Sequence, residues 1–198
     1  MGANRMRKPN KTNRIRIIGG EWRSRVIEFP DAEGLRPTAN RVRETLFNWL
    51  GQTLHDKRCL DLFAGSGALG FEAASRGAAA VVMIENNGLA MQALKTNKEK
   101  LAASQCRLML QDAKEFLARD REQFDVVFLD PPFATGLLAP LLEQLAPHLS
   151  AQGVVYVEWG QPIDGVISTI REVDWQVAKQ GKAGAVHFAL LSIAKGVT

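Results

Sequence analysis

The four-residue run Asp130-Pro131-Pro132-Phe133 is the part of this chain best suited to chemistry, and it follows an apolar segment from Phe124 to Leu129. That segment is typical of a buried parallel strand. Two consecutive prolines must end the strand, because neither can donate a hydrogen bond to a sheet ladder. The run therefore predicts a stiff loop at the carboxyl end of a strand, where open α/β sheets bind ligands.

This loop offers a carboxylate, a carbonyl that no ladder uses and an aromatic face, a set that suits a planar ring carrying an exocyclic amine. The amine hydrogens would meet Asp130 and the Pro131 carbonyl, and the ring would stack on Phe133. A proline-rich turn that only ends a strand has the same local sequence. The neighbouring strands must decide between the two interpretations.

Upstream, Gly65, Gly67 and Gly70 have the G-x-G-x-x-G spacing of a dinucleotide-binding turn between a strand and a helix. Glycines let the backbone approach a ligand closely, and the helix start offers unpaired N–H groups. Many such turns bind nothing, but Asp61 ends the preceding strand. A carboxylate there would repel the pyrophosphate of NAD and attract the cationic amino-acid group of S-adenosylmethionine.

Two further strands are followed by acids. Ala80–Ile84 precedes Glu85, which suits a ribose diol in either cofactor, and Arg107–Leu110 precedes Asp112, which could accept from an adenine amine. Each acid could instead be a solvated strand end or a helix cap, and Asp112 before Ala113 is a good N-cap candidate. Acids after three successive strands, with the proline loop after the fourth, nevertheless predict one ligand-binding edge.

Charge is concentrated in the amino-terminal segment. Through Arg43 there are eleven lysines and arginines against four acids, a balance of +7, and the remainder holds fourteen against seventeen, a balance of −3, which gives the net +4. Such a segment favours a polyanionic substrate, although basic arms are often only solvated. Arg14–Ile18 and Trp22–Ile27, on either side of Gly19-Gly20, predict a hairpin with one arginine-bearing face. Arginines on such a face contact phosphates at any sequence, which suits structured RNA.

A helix is predicted next, from about Ala39 to Gly51. Its apolar residues recur at helical spacing and should pack on the body, so Trp49 is expected in the core rather than stacked on a base. Arg36, Arg41 and Arg43 lie at or near the helix start. We interpret them as contacts to RNA phosphates or near the cofactor.

Four motifs together resemble the class I methyltransferases and, among these, the RsmD family. The motifs are Asp61–Gly70, Asp130–Phe133, Ile15–Arg23 and Leu35–Leu50. The first two occur in many amino-group methyltransferases, whereas the last two are far more specific. The likeness runs from about Arg14 to Ile193. It implies S-adenosylmethionine as cofactor and methylation of the N2 amine of one guanine in 16S ribosomal RNA, within an assembled or assembling small ribosomal subunit.

The residues and the resemblance together predict three groups of functional positions. The catalytic group is Asp130, Pro131 and Phe133. The cofactor-binding group is Asp61, Phe63, Ala64, Gly65, Ser66, Gly67, Glu85, Asp112, Ala113 and Asp130. The substrate-binding group is Arg16, Arg23, Arg25, Arg36, Arg41, Arg43, Pro132 and Phe133.

At 198 residues the chain has the length of one domain with a small appendage. We divide it into a disordered basic arm (1–13), a basic hairpin and helix that bind RNA (14–51), and a methyltransferase domain (52–198). The predicted fold is α/β and Rossmann-like, with a mostly parallel, doubly wound, seven-stranded sheet. Trp175–Lys179 and Val186–Leu191 would end this sheet as a hairpin across Gly181–Gly184, antiparallel because no helix separates them.

No apolar run reaches the length of a membrane span, and no secretory signal is recognisable. Cys59 and Cys106 each open a predicted buried strand, and neither is paired with histidine at the spacing of a metal site. We therefore expect a cytoplasmic protein with reduced cysteines and without a metal. A monomer is the default expectation.

Other functions share part of this pattern. A DNA adenine methyltransferase has the same loop but usually carries a separate target-recognition region, for which this chain has no room. A methyltransferase acting on a protein amide or a small amine would not need the basic hairpin. A NAD-dependent oxidoreductase would continue with strand-helix-strand units in place of the final hairpin. Guanine is preferred over adenine by the resemblance alone, because an exocyclic amine on either ring satisfies the loop.

Overall fold

The computed structural model describes residues 12–31, 38–133 and 136–194. The strands in these ranges are β1 (Thr12–Arg16), β2 (Val26–Pro30), β3 (Arg58–Asp61), β4 (Ala80–Glu85), β5 (Cys106–Leu110), β6 (Phe124–Leu129), β7 (Leu149–Trp159), β8 (Trp175–Ala183) and β9 (Val186–Ile193). The helices are α1 (Asn40–Leu50), α2 (Ala68–Ser75), α3 (Gly88–Leu101), α4 (Ala113–Arg119), α5 (Leu138–Leu145) and α6 (Ile163–Ile167).

Strands β3 to β9 form one sheet of seven strands in the order β5-β4-β3-β6-β7-β9-β8. The five strands from β5 to β7 in that order pair in parallel, and a helix connects each to the next along the chain. The last strand, β9, pairs antiparallel with both β7 and β8. The predicted fold class, a mostly parallel sheet with an antiparallel hairpin at the carboxyl end, is confirmed.

Each face of the sheet carries its own apolar core, because successive strand residues point to opposite faces. Cys59 faces the layer made by α1, α2, α3 and the amino-terminal hairpin. Its neighbour Leu60 faces the layer made by α4, α5 and α6. Helices therefore cover both faces, and the edge at the carboxyl ends of the parallel strands is left for ligands.

The amino-terminal hairpin packs into the first of these cores. Its two strands pair antiparallel, with Thr12 opposite Pro30. Ile15, Ile27 and Phe29 are buried among the side chains of that core. The predicted hairpin is confirmed, and it is packed on the body of the fold.

The bounds of the hairpin differ from the prediction. Thr12 and Asn13, which we assigned to a disordered arm, begin β1, while residues 1–11 lie outside the described ranges. The second strand begins at Val26, not at Trp22. Trp22 is buried in the connecting turn, where its backbone N–H donates to Ser75 Oγ at 2.9 Å. This tertiary hydrogen bond replaces the ladder pairing that its sequence pattern predicted.

Two later elements are also corrected. The apolar pattern of Leu137–Leu149 predicts one amphipathic helix, but α5 ends at Leu145. A 3-10 turn containing Pro147 follows, and Leu149 begins β7. The final hairpin turns at Gly184, where φ is 60°, and not across Gly181–Gly184, because β8 continues to Ala183. Helix α1 is close to its predicted bounds, and Trp49 is half-buried with its ring 5.4 Å from Phe188.

Within the described ranges, no helix combines the length and apolar character needed to cross a bilayer. The same ranges contain no cluster of three or more histidine, cysteine, aspartate or glutamate side chains arranged to hold a metal ion.

Candidate cofactor and base site

The predicted ligand edge brings Asp61, Glu85 and Asp130 to neighbouring strand ends. Asp61 ends β3, Glu85 ends β4 and Asp130 follows β6, and β3 lies between β4 and β6 in the sheet. Parallel pairing places the carboxyl ends of these strands side by side. The sequence prediction of one polar edge is therefore confirmed for these three acids, while their roles remain predictions.

The glycine turn after β3 is held in a left-handed conformation. Gly65 and Gly67 have φ values of 50° and 80°, which glycine adopts without the steric penalty of a Cβ atom. A Cβ on Gly67 would lie 2.6 Å from the Phe71 ring. The turn thus needs glycine both for its backbone shape and for its packing, and it leads directly into the start of α2.

Asp61 is 3% exposed and accepts a hydrogen bond from Gly70 N at 2.9 Å. Burial raises the pKa of its carboxyl to about 7, against the opposing effect of that hydrogen bond. In residues 12–31, 38–133 and 136–194, no lysine or arginine nitrogen lies within 4.0 Å of this carboxylate. A buried acid of this kind would be stabilised in its ionised form by a bound cation. The amino-acid end of S-adenosylmethionine has such a group, so the site fits this cofactor.

Glu85 is 8% exposed and connects β4 to the glycine turn. Its Oε2 accepts from Gly65 N at 2.8 Å, and its Oε1 accepts from Asn87 N at 2.7 Å. Each carboxylate oxygen has more than one acceptor position, so these bonds leave capacity for the hydroxyls of a ribose. Glu85 is thus fixed in orientation by two backbone amides, one from the glycine turn and one from the residue that precedes α3.

Asp112 forms the N-cap of α4. Its Oδ1 accepts from Lys114 N at 2.8 Å and from Glu115 N at 3.3 Å. The capping interpretation weighed for this residue is therefore confirmed. Its contact with an adenine amine stays a prediction. In that prediction the capping bonds hold the side chain in place, and a carboxylate oxygen accepts from the amine.

Two exposed leucines flank Glu85 and were not recognised from the sequence. Leu110 is 59% exposed and pairs with Glu85 between β5 and β4. Leu89 is 60% exposed in the first turn of α3, where its N–H donates to the Asn87 side chain at 2.9 Å. Exposed leucines are common on protein surfaces, but these two lie at or just after the ends of β5 and β4, at the edge that carries Glu85. The sequence could have indicated them, because one lies at the end of a predicted strand and the other just after the end of the preceding one.

The proline loop lies where it was predicted, at the end of β6. Pro131 is buried, Asp130 is half-buried, and Pro132 and Phe133 are exposed. The Phe133 ring contacts Trp159 edge-on with a centroid distance of 5.6 Å, and 49% of Phe133 remains exposed. About half of Phe133 is therefore open to a stacking partner, while the rest packs against the protein.

A cavity of about 380 Å³ opens beside this ring, lined in part by Phe133, Trp159, Gly160, Gln161 and Thr169. A Cβ on Gly160 would lie 3.3 Å from Phe133 Cδ2. The absence of a side chain at Gly160 thus lets the phenylalanine ring lie close to the end of β7.

Sequence reasoning also missed Tyr156 and Glu158 at the end of β7. The Tyr156 hydroxyl donates to Glu158 Oε1 at 2.9 Å, and both residues are buried. Burial raises the pKa of Tyr156 well above its usual value, with further contributions from the charges of Glu158 and Asp130. These two residues looked like an ordinary strand, because no local pattern shows which strand becomes the neighbour of β6.

One of the predicted RNA contacts is wrong. Arg43 is fully buried, and its guanidinium lies 3.5 Å from Glu72 Oε2. It also donates to the Arg16 carbonyl at 3.0 Å and to Asn40 Oδ1 at 2.7 Å. A side chain held in this way cannot reach a phosphate. Its position one turn along α1 turns it toward the body instead of the solvent.

The other arginines predicted to contact RNA are exposed to solvent, apart from one that lies outside the described residues. Arg16, Arg23, Arg25 and Arg41 are exposed, and Arg25 also donates to the Lys100 carbonyl. Arg36 lies outside the described residues. These exposed arginines remain candidates for phosphate binding.

Comparison with known proteins decides the family. A family model described as "Conserved hypothetical protein 95" matches residues 15–192. A protein of Escherichia coli (strain K12) named "Ribosomal RNA small subunit methyltransferase D" is 42% identical over 189 residues, covering 93% of this chain and 94% of that protein. The protein of the same name in Haemophilus influenzae is 39% identical, covering 94% and 97%. The chain belongs to the RsmD family.

A solved structure of a methyltransferase from Escherichia coli is similar to this RsmD chain, with a TM-score of 0.78 and 41% identity over 90% of this chain and 97% of that one. The family model, which matches residues 15–192, spans the glycine turn, the proline loop and most of the final antiparallel hairpin. The resemblance inferred from four short motifs is thus confirmed over nearly the span that it predicted.

Proposed function

We propose that this protein transfers a methyl group from S-adenosylmethionine to the exocyclic N2 of a specific guanine in 16S ribosomal RNA, within a small ribosomal subunit in the cytoplasm. The observation that carries this proposal is the Asp130–Phe133 loop, which lies at the same strand edge as Asp61 and Glu85 in a member of the RsmD family. The names of the similar proteins support the RNA substrate.

In this proposal the cofactor lies along the strand ends. Asp61 receives its amino group, the amides of the glycine turn and Glu85 hold its central part, and Leu89 and Leu110 enclose the adenine near Asp112. Phe63, Ala64, Ser66 and Ala113 complete the contacts. S-adenosylmethionine, when bound, supplies a methyl group on a positively charged sulfur.

The proline loop holds the amine that receives the methyl group. A guanine N2 is a poor nucleophile, because its lone pair is delocalised into the ring. Hydrogen bonds from the amine to Asp130 and to the Pro131 carbonyl favour a pyramidal nitrogen and stabilise the positive charge that develops on it. Stacking on Phe133, on the order of 1–3 kcal/mol, offsets part of the cost of about a few kcal/mol for unstacking the base from its RNA. Alignment of the two reactants supplies the rest of the acceleration.

The basic hairpin face positions the RNA. Arg16, Arg23, Arg25 and Arg41 are exposed on or near β1, the turn and the start of α1. Arginines in this arrangement contact phosphates of any sequence, so they place the substrate without selecting the base. Base selection is left to groups beside the loop.

The test is methyl transfer from labelled S-adenosylmethionine to small subunits purified from a strain lacking this gene, followed by nucleoside analysis. We expect N2-methylguanosine at one site. We expect Asp130→Asn to lower kcat by about 10²-fold, and Phe133→Ala to raise KM by about tenfold or more, since it removes the stacking surface.

The matched control is Glu143→Gln, an exposed acid on α5, which should keep the wild-type rate. Label in N6-methyladenine or in protein would overturn the substrate. Full activity in both loop variants would overturn the role of the loop.

A further inference from the structure

Glu158 lies beside the catalytic loop, on the strand next to the one that carries Asp130. Strands β6 and β7 pair in parallel through Leu129 opposite Val157. The next residues along these strands are Asp130 and Glu158. Neighbouring strands are about 4.8 Å apart, so the two carboxyl groups start from adjacent backbone positions at the same edge.

A hydrogen bond from Tyr156 holds the Glu158 side chain in one orientation. Tyr156, two residues earlier on the same face of β7, donates its hydroxyl to Glu158 Oε1 at 2.9 Å. The raised pKa of Tyr156 keeps this hydroxyl protonated, so the tyrosine acts as donor and Glu158 as acceptor. Asp130 contributes to that raised pKa, which places its charge close to the same pair. Glu158 itself is 6% exposed, so a bound ring would complete its enclosure.

The edge of guanine that carries N2 differs from the corresponding edge of adenine at the neighbouring ring nitrogen. Guanine has a hydrogen on N1 beside its 2-amine, whereas adenine has a lone pair on N1 beside its 6-amine. Enzymes that extrude a base read this edge by hydrogen bonds. A carboxylate next to the amine-binding group accepts from the guanine N1–H and faces the lone pair of adenine unfavourably.

We propose that Glu158, oriented by Tyr156, accepts the N1–H of the target guanine and is the residue that selects guanine over adenine. This inference rests on the proposed function and assigns the base selection that the loop chemistry leaves open. Asp130 holds the amine, Glu158 recognises its ring neighbour, and Phe133 stacks on the ring without regard to its identity.

The experiment exchanges the N1–H at the target position. 2-Aminopurine keeps the 2-amine but has a lone pair on N1. It is introduced by ligation into 16S RNA at the position methylated by the wild-type enzyme, and the RNA is reconstituted into small subunits. For the wild type we expect kcat/KM with 2-aminopurine to be about 10- to 100-fold below that with guanine.

In Glu158→Gln an amide N–H can donate to the N1 lone pair. We expect its kcat/KM with guanine to fall by about 10- to 100-fold, and its ratio of guanine to 2-aminopurine rates to shrink to within about threefold of unity. The control Glu143→Gln should keep the wild-type ratio. Cofactor binding and denaturant unfolding establish that each variant is folded.

If Glu158→Gln does not fold, Tyr156→Phe provides the test, because it keeps the carboxylate but removes its orienting hydrogen bond. We expect the ratio of guanine to 2-aminopurine rates to fall by about threefold or more in this variant. This inference is overturned if a folded Glu158→Gln keeps the wild-type ratio of guanine to 2-aminopurine rates. If Glu158→Gln does not fold, an unchanged ratio in Tyr156→Phe overturns it. Either result leaves the proposed function intact. Absence of N2-methylguanosine with the wild type overturns both.

Discussion

Two buried carboxylates differ in whether a positively charged side chain accompanies them, and both lie at helix α2. Near its carboxyl end, its own Glu72 lies 2.9 Å from the Arg76 guanidinium and 3.5 Å from that of Arg43, and it accepts from the amides of Ile18 and Gly19 at 2.8 Å each. Near its amino end, Asp61 from β3 accepts from Gly70 N. As described above, Asp61 has no such cation among the described lysines and arginines.

The charge of Glu72 is neutralised by arginines of the protein itself, whereas the charge of Asp61 is suited to neutralisation by a bound ligand. Glu72 joins the amino-terminal hairpin, α1 and α2 in one polar network, so its charge serves the fold. Asp61 keeps a pKa raised by burial to about 7, which a structural ion pair would have lowered. Perturbed acids without a structural countercharge are candidates for functional sites. Substitutions at the two positions should therefore have opposite consequences for stability and for binding.

The largest effect is expected at Glu72. Glu72→Gln leaves Arg43 and Arg76 buried without a countercharge, and breaking a buried pair in this way costs about 3–5 kcal/mol of the free energy of unfolding. Urea unfolding followed by circular dichroism measures this loss. The control Glu99→Gln removes an exposed acid on α3 and should change stability by less than about 0.5 kcal/mol. A loss below about 1 kcal/mol at Glu72 would show that the network does not hold the hairpin.

At Asp61 we expect a large loss of cofactor affinity and little loss of stability. Asp61→Asn removes a charge that burial disfavours, so the free energy of unfolding at pH 8 should not fall by more than about 1 kcal/mol. Affinity for S-adenosylmethionine should fall by about 10- to 100-fold, or ~1.4–2.8 kcal/mol, as measured by calorimetry. Unchanged affinity with reduced stability would place Asp61 with Glu72 as a structural group.

The pH dependence of cofactor binding follows from the same acid. Below pH 7 the Asp61 carboxyl is largely protonated, since its pKa is raised to about 7, and binding a cation must release that proton. Affinity should therefore increase as pH rises from 5.5 to 7, by up to about tenfold per pH unit, and level off above the pKa. Calorimetry in two buffers of different ionisation enthalpy measures the released proton. A slope equal to that of Asp61→Asn would assign the dependence to another group.

The smallest effect is expected at Gly160. A Cβ there would meet Phe133 Cδ2 at 3.3 Å, so the ring must move by a few tenths of an ångström. We expect Gly160→Ala to lower kcat/KM by about threefold with little change in stability, because a small displacement at the reacting centre reduces rate before it affects packing. Steady-state kinetics on small subunits measures this change. The distal Gly184→Asn, in a turn with open space and a φ that asparagine tolerates, is the control that should leave kcat/KM unchanged.

Local sequence was enough for the features that depend on a strand ending in a particular residue. The positions of Asp61, Glu85 and Asp130 followed from apolar runs that stop at glycine, acid or proline. Parallel strands then bring such ends together without further information. Asp112 shows the limit of that reasoning, because the same local pattern that suggested a ligand contact also described the helix cap that it forms.

The remaining features depend on residues distant in the sequence. Arg43 has the sequence context of a solvated helix start, yet the tertiary fold buries it against Glu72, twenty-nine residues away. Glu158 lies next to Asp130 because β7 is the neighbour of β6. Trp22 lies outside its predicted strand, and its backbone N–H donates to the distant Ser75. Periodicity and turn chemistry report interactions between near neighbours. Burial of a charge, and adjacency between strands, are settled only when distant segments pack against one another.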